Sequence, residues 1–170
     1  LCAGRELPAL PVQYADYAVW KRRHGAGEEQ LAFWRDRLAG LIPLDLPRDR
    51  PRAARRESAG AAVTFTVPAD LVAAVDALAR RHSATPYAVL LTAVSVLIAR
   101  YSRQWDVPIG TSVTGRTRRE IEGVVGLFLN TLVMRCTLDP ALRVADALER
   151  VRDVIQSAFA NQDLSFERVV

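Results

Sequence analysis

Residues 85–113 read TPYAVLLTAVSVLIARYSRQWDVPIGTSV, and this stretch decides the fold. Thr85-Pro86 supplies a capping hydroxyl, then a residue whose fixed φ suits the first helical position, where a missing N–H costs nothing. The helix it opens, to about Tyr101, is apolar nearly all round, which predicts a course through the middle of the fold. Its apolar run, Ala88 to Ala99, is broken by Thr92 and Ser95 and falls well short of the ~18 residues a membrane span needs, so it reads as a core helix. Asp106 to Val113 then reads as a strand leading into a turn at Gly115-Arg116. The pattern is mixed α/β.

On the amino-terminal side, Asp70 to His82 forms an amphipathic pattern with Leu71, Val75, Leu78 and Ala79 on one face. His82 at its end, beside Arg80 and Arg81, reads as a favourable charge at a helix C-terminus. Val63, Phe65 and Val67 alternate with Thr64 and Thr66, which predicts a half-buried strand. Ile42 to Gly60 carries Pro43, Pro47 and Pro51 among alternating charges, so it neither continues a helix nor enters a sheet interior. A boundary there divides the chain into residues 1–60 and 61–170. Before it, Val12 to Arg23 and Glu28 to Leu38 read as helices separated by Gly25-Ala26-Gly27. Leu31, Trp34 and Leu38 share one face, and Gly40 marks the end.

On the carboxyl-terminal side, Arg118 to Glu122 reads as a charged loop or short helix and Leu127 to Leu138 as a long strand. Val144, Leu148, Val151, Ile155 and Phe159 step by four, three, four and four, an amphipathic helix ending near Asn161.

Composition narrows the function. At 170 residues, 50% apolar and 25% charged, the chain is an ordinary globular domain. Its net charge of +4 does not indicate a nucleic-acid partner. Lys21 is the only lysine, most arginines have acidic neighbours, and no aromatic-interleaved basic stripe appears. Cys2 and Cys136 stand far apart, so a disulfide framework is not expected and a cytoplasmic setting is. His24 and His82 lack the spacing of metal ligands, and no metal is expected. The opening residues lack a signal peptide's charged-then-apolar pattern. No Gly-rich phosphate loop, GxSxG elbow or HExxH motif occurs.

Three local patterns go beyond packing alone. Tyr14-Ala15-Asp16-Tyr17-Ala18-Val19-Trp20 gathers large amphipathic rings around one carboxylate. Val125-Gly126-Leu127-Phe128-Leu129-Asn130-Thr131 places a glycine and a polar pair inside a strand pattern, where glycine marks a bulge or a close backbone approach. Asn161-Gln162-Asp163-Leu164-Ser165-Phe166-Glu167 is a polar cluster after a helix end. Taken one at a time, each also reads blandly: aromatics filling a core with Asp16 capping or pairing, an edge-strand irregularity, a cap and turn.

In this order and at these spacings the three resemble core motifs of the condensation domains of nonribosomal peptide synthetases. The first looks like the family's fourth motif, the second together with Arg135 like the fifth, and the third like the sixth, with Ser165 where proline is more usual. Asp49-Arg50-Pro51-Arg52 and Ile109-Gly110-Thr111-Ser112-Val113 through Gly115-Arg116 are also similar to family sequences, so the resemblance covers essentially the whole chain.

The resemblance implies the chloramphenicol acetyltransferase-like, CoA-dependent acyltransferase fold: two similar α/β halves facing each other across a tunnel. Here it would be partial, the end of the N-terminal half plus most of the C-terminal half. It implies amide formation between acyl or peptidyl and aminoacyl groups. Both arrive as thioesters on the phosphopantetheine arms of upstream and downstream peptidyl carrier domains, with an adenylation domain adjacent. No tightly bound cofactor and no membrane or nucleic-acid partner are implied. Catalysis in the family centres on an HHxxxDG motif; this chain has two histidines, at 24 and 82, and no such pair. The chain is therefore expected to start after that motif, to hold no catalytic residue and to be inactive alone.

As tunnel candidates the resemblance suggests Thr114, whose hydroxyl would meet the acceptor amine, and Asn130 and Thr131, which would position substrate or fix the strand. Arg135, Asp163 and Glu167 are expected to be structural through buried or half-buried pairing. Tyr14 and Trp20 are expected to pack. Asp16, Gly126, Phe128, Asn161, Gln162 and Phe166 are expected, as motif residues, to have structural roles. Three alternatives stay open: an epimerisation domain, a heterocyclisation domain, or a non-catalytic module that docks carrier proteins.

Overall fold

The computed structural model describes residues 9–25, 27–49 and 60–169. Cys2, the opening residues, Ala26 and the 50–59 part of the proline-punctuated linker, including Arg50-Pro51-Arg52, lie outside the described residues.

Among the described residues, five helices and two strands run in the order α1 (Tyr14–His24), α2 (Glu28–Leu38), α3 (Ala69–Arg81), α4 (Pro86–Ser102), β1 (Asp106–Val113), β2 (Asn130–Thr137) and α5 (Val144–Ala160). Short 3-10 turns occur at Arg119–Ile121 and Phe166–Arg168. The chain divides into two compact units, each assembled from separated segments. The first draws on residues 1–39, 110–133 and 158–170, the second on residues 40–109 and 134–157.

Local chemistry sets the helix ends. In α1 the Gln13 N–H donates to Asp16 Oδ2 at 2.9 Å, while Lys21, Arg22, Arg23 and His24 occupy the last turn. An acid at the start and bases at the end complement the helix dipole. The same polarity recurs in α2, with Glu28 and Glu29 first and Arg35 and Arg37 last. Thr85 caps α4 as its sequence predicts, its Oγ1 accepting from the Ala88 N–H at 3.2 Å with Pro86 next in line.

The second unit is built on apolar burial. Ala79 of α3, Ala88 and Val89 of α4 and Leu148 of α5 form one cluster, with Val75, Leu78 and Ile155 packed against it. Leu71, expected on that face, is 52% exposed because it lies in the first turn, before α3 meets its neighbours. Helix α4 is half what its composition predicts. Ala88, Leu91, Thr92, Ser95 and Ala99 are buried, whereas Leu90, Val94, Leu97 and Tyr101 are exposed, so one face packs and the other does not. No single described helix is long and apolar enough to cross a membrane, and α3 and α4 are bent by 102° at their junction.

Strands β1 and β2 form a two-stranded sheet. The Leu138 N–H donates to Trp105 O at 2.7 Å at one end, and Gly110 lies against Thr131 at the other. These contacts run in opposite senses, so the pair is antiparallel. Leu132, Met134 and Cys136 alternate inward and are fully buried.

Two strand expectations are corrected. Val63, Phe65 and Val67 belong to no strand and are 88%, 79% and 45% exposed. Alternation makes a strand only beside a partner that takes its backbone hydrogen bonds, and among the described residues the one sheet is β1–β2. The long strand expected from Leu127 begins instead at Asn130, because Leu127 and Leu129 are exposed and the backbone before Asn130 is held by other contacts.

Candidate functional site

The three patterns singled out in the sequence meet around one cavity of about 360 Å³, lined wholly by the first unit. Tyr14, Tyr17 and Lys21 of α1 form one wall. Leu127 to Thr131 form a second, and Gln162, Asp163, Ser165, Phe166 and Glu167 form a third, with Gly115 and Thr117 at its margin.

Two glycines bring the aromatic wall together. A Cβ at Gly126 would stand 2.2 Å from the Tyr14 ring, so only glycine admits that ring. The Tyr14 hydroxyl then donates to Leu127 O at 2.9 Å. Gly115 has φ +63°, and a Cβ there would meet Phe128 O at 1.9 Å. Phe128 is thereby fixed, edge-on to Tyr14 with centroids 5.2 Å apart, 4.8 Å from Tyr17, and beneath the Arg116 guanidinium at 4.2 Å. Its apolar backing is Ile121 and Val124, with Val12 packed alongside. Burial, then the charge of Asp163, then Tyr14 push the Tyr17 phenol above its ordinary value, so it keeps its proton beyond the range in which a free tyrosine ionises and remains a hydrogen-bond donor.

The second and third walls are joined by Asn130. Its Nδ2 donates to Gln162 O at 2.9 Å and Leu164 O at 2.7 Å. Its Oδ1 accepts from the Thr131 N–H at 2.9 Å and the Phe166 N–H at 3.1 Å. Two donors and two acceptor directions are all an amide side chain has. Helix α2 holds the same segment from another side: Trp34 Nε1 donates to Asn161 O at 2.9 Å, and Gln30 Oε1 accepts from the Leu164 N–H at 3.1 Å. Lys21 and Asp163 pair at 3.7 Å, with side chains 32% and 50% exposed. A pair this open contributes about 0–1 kcal/mol.

The remaining motif residues fall outside this cavity. Asp16 caps α1 and, with Trp20, borders a smaller hollow of about 230 Å³, where Arg118 stacks on Trp20 at 4.3 Å. Arg135 belongs to the second unit and grips Asp106 through Nε and Nη2, the shortest contact being 2.6 Å. That bond holds the guanidinium above its ordinary value. Glu167, which does line the cavity, departs from expectation: it is exposed and no salt bridge to it is seen among the described residues. Thr114 is exposed and does not line the cavity, although Gly115 and Thr117 beside it do. Neither histidine reaches the cavity either. His24 stacks on Trp20 with centroids 6.0 Å apart, and His82 caps α3, its carbonyl accepting from Arg152.

Gln30, Trp34 and Thr117 were not singled out from the sequence. Trp34 was legible as an apolar face residue, but its N–H finds a partner 127 positions away, for which no local pattern exists.

A family-level comparison matches the condensation domain over residues 1–170. The chain belongs to that family. This condensation-domain chain is 44% identical over 168 residues to phosphinothricin tripeptide synthetase PhsC of Streptomyces viridochromogenes, covering 96% of this chain and 16% of that protein. Among solved structures it superposes on a four-domain nonribosomal peptide synthetase bound to AMP and glycine, with TM-score 0.88 at 25% identity over 97% of this chain and 13% of that one. The X-domain solved in complex with OxyB from teicoplanin biosynthesis gives TM-score 0.87 at 28% identity, over 99% of this chain and 39% of that one. Its fold is accordingly the mixed α/β fold of the CoA-dependent acyltransferases. The chain spans only a minor part of each of these relatives.

Proposed function

We propose that this chain forms part of a nonribosomal peptide synthetase condensation domain that joins acyl or peptidyl and aminoacyl thioesters into an amide. The substrates come on the phosphopantetheine arms of two peptidyl carrier domains, one upstream and one downstream, with an adenylation domain adjacent, in the cytoplasm. The observation that carries this reading is the convergence of three separated motifs on one cavity. Its walls combine aromatic faces with hydroxyl and amide groups, which suits a flexible thioester chain that must be oriented before its carbonyl is attacked. Asn130 and Thr131 serve as wall elements.

The amine nucleophile needs a base, and the tetrahedral oxyanion needs donors. The chain has no paired histidines, and neither His24 nor His82 lines the cavity, which supports the reading that the base is supplied by other parts of the synthetase and that the chain alone is inactive. Two loaded carrier proteins mixed with the whole synthetase should yield the amide by mass spectrometry, whereas the 170-residue chain should yield none. Product from the chain alone would contradict the reading.

A second reading is favoured by one finding: the similar X-domain was solved in complex with OxyB. In that reading the fold docks protein partners, carrier proteins here, without chemistry, and the whole synthetase would bind loaded carriers with no amide formed.

A further inference from the structure

We infer that Gln30 and Asn130 form a positioning pair that fixes the 162–166 wall of the cavity by gripping Leu164 from both sides. The inference rests on the amide-forming reading above and assigns two residues a part in it.

Leu164 is held at every group it has. Its N–H donates to Gln30 Oε1 at 3.1 Å, its carbonyl accepts from Asn130 Nδ2 at 2.7 Å, and its side chain is 1% exposed. The residues on either side, Asp163 and Ser165, line the cavity. Leu164 is thus the buried pivot and its neighbours are the working surface. Asn130 repeats the grip at both flanks, taking the Gln162 carbonyl and the Phe166 N–H. Gln162 and Phe166 line the cavity as well.

Asn130 has no hydrogen-bonding capacity left for a ligand: two donors and two acceptor directions are all committed to backbone. Although it lines the cavity, it can hydrogen-bond substrate only by releasing the wall, so its polar effect on the reaction passes through residues 162–166. Gln30 sits on α2, outside the cavity lining, and acts only through Leu164. A wall held in one position lowers the ordering cost of binding, and that benefit is expressed in the affinity for the carrier-bound substrate.

The chemistry dictates which substitutions count. Gln30→Met keeps length and loses the acceptor. Gln30→Glu keeps an oxygen for the Leu164 N–H. Asn130→Asp keeps both acceptor bonds and turns both carbonyl-facing bonds into oxygen–oxygen repulsion. Each variant is made in the whole synthetase and read in two ways: hydrogen–deuterium exchange of the peptide covering residues 161–169, and KM and kcat for amide formation with loaded carriers.

Gln30→Met is expected to raise exchange in that peptide and to raise KM about fivefold, the scale of one lost hydrogen bond, and Asn130→Asp, which loses two, to raise both further, with kcat within about twofold in each. Gln30→Glu is expected to restore both readouts. The double variant is expected to be little worse than Asn130→Asp alone, since both act on one residue. Faster exchange with unchanged KM would overturn the positioning role and leave the amide-forming reading intact. A KM effect of Asn130→Asp with unchanged exchange would make Asn130 a direct substrate contact and also overturn it. Wild-type synthetase that forms no amide would remove the reading and this inference with it.

Discussion

The two compact units solve the same problem with different materials. In the second, helices α3, α4 and α5 bury alanine, valine and leucine against one another, and a cavity of about 430 Å³ is bordered mainly by such side chains. Arg135 and Asp106 make an ion pair there at 2.6 Å, closer than the 3.4 Å pairs of Arg152 with Glu149 and Asp153. In the first, the cavity is framed by side chains that hydrogen-bond to distant backbone: Tyr14 to Leu127, Trp34 to Asn161, Gln30 to Leu164, and Asn130 to three residues of one segment. Apolar burial is non-directional and tolerates adjustment, whereas a directed hydrogen bond fixes a backbone atom in place. The unit that shapes the proposed site is therefore the one that spends polar groups on precision, and the other is a scaffold.

This contrast breaks most readily at Gly115. Gly115→Ala forces a left-handed residue against Phe128 O, and a loss of at least about 3 kcal/mol is expected in urea denaturation, together with loss of amide formation. A variant of wild-type stability would show that the aromatic wall can relax. In the scaffold, Leu148→Ala removes a side chain that is 1% exposed, and should cost about 3 kcal/mol while leaving KM unchanged at a temperature where the protein stays folded. A raised KM there would erase the distinction between the units. Asp106→Asn strips the Arg135 guanidinium of its charged partner and should cost about 2 kcal/mol, again with KM unaltered. The smallest effect is at Tyr14→Phe, which deletes the bond to Leu127 O and keeps the ring on Gly126. About 1 kcal/mol is expected, with a measurable rise in KM. No change in either would reduce Tyr14 to packing.

Tyr17 adds a pH signature to the first unit. Its folded-state value is raised, so the folded form keeps its proton after the unfolded chain has lost it. The associated stability is fully present below the ordinary tyrosine value of 10.0 and is lost as pH rises through the higher folded value. Tyr17→Phe should flatten the alkaline limb of the stability profile and leave neutral pH untouched.

Local chemistry was legible in the sequence wherever it was self-contained. Thr85-Pro86 announces the start of α4, residues 28–38 and 106–113 carry the bounds the structure shows, and Gly126, whose place in a strand pattern suggests a bulge or a close backbone approach, instead makes room for the Tyr14 ring outside the strand. Reading stopped where a partner lay far along the chain. Val63-Phe65-Val67 alternates as a strand does, but the alternation says nothing about whether another strand lies beside it. The apolar surface of α4 did not reveal which half would be covered. The motifs could be named one by one, yet their convergence needed Gln30 and Trp34, residues whose partners lie 134 and 127 positions away. Glu167 shows the converse, a motif acid expected to pair that the fold leaves open to solvent.

The central claim is that one cavity in the first unit, built by three separated motifs, receives the carrier-bound chains. Hydrogen–deuterium exchange of the whole synthetase, with and without loaded carriers, tests this most directly. Protection is predicted to appear together in residues 14–21, 127–131 and 162–167, with the 430 Å³ cavity of the second unit unchanged. Protection around Leu142, Val144 and Leu148 instead, or in none of the three motif segments, would contradict it.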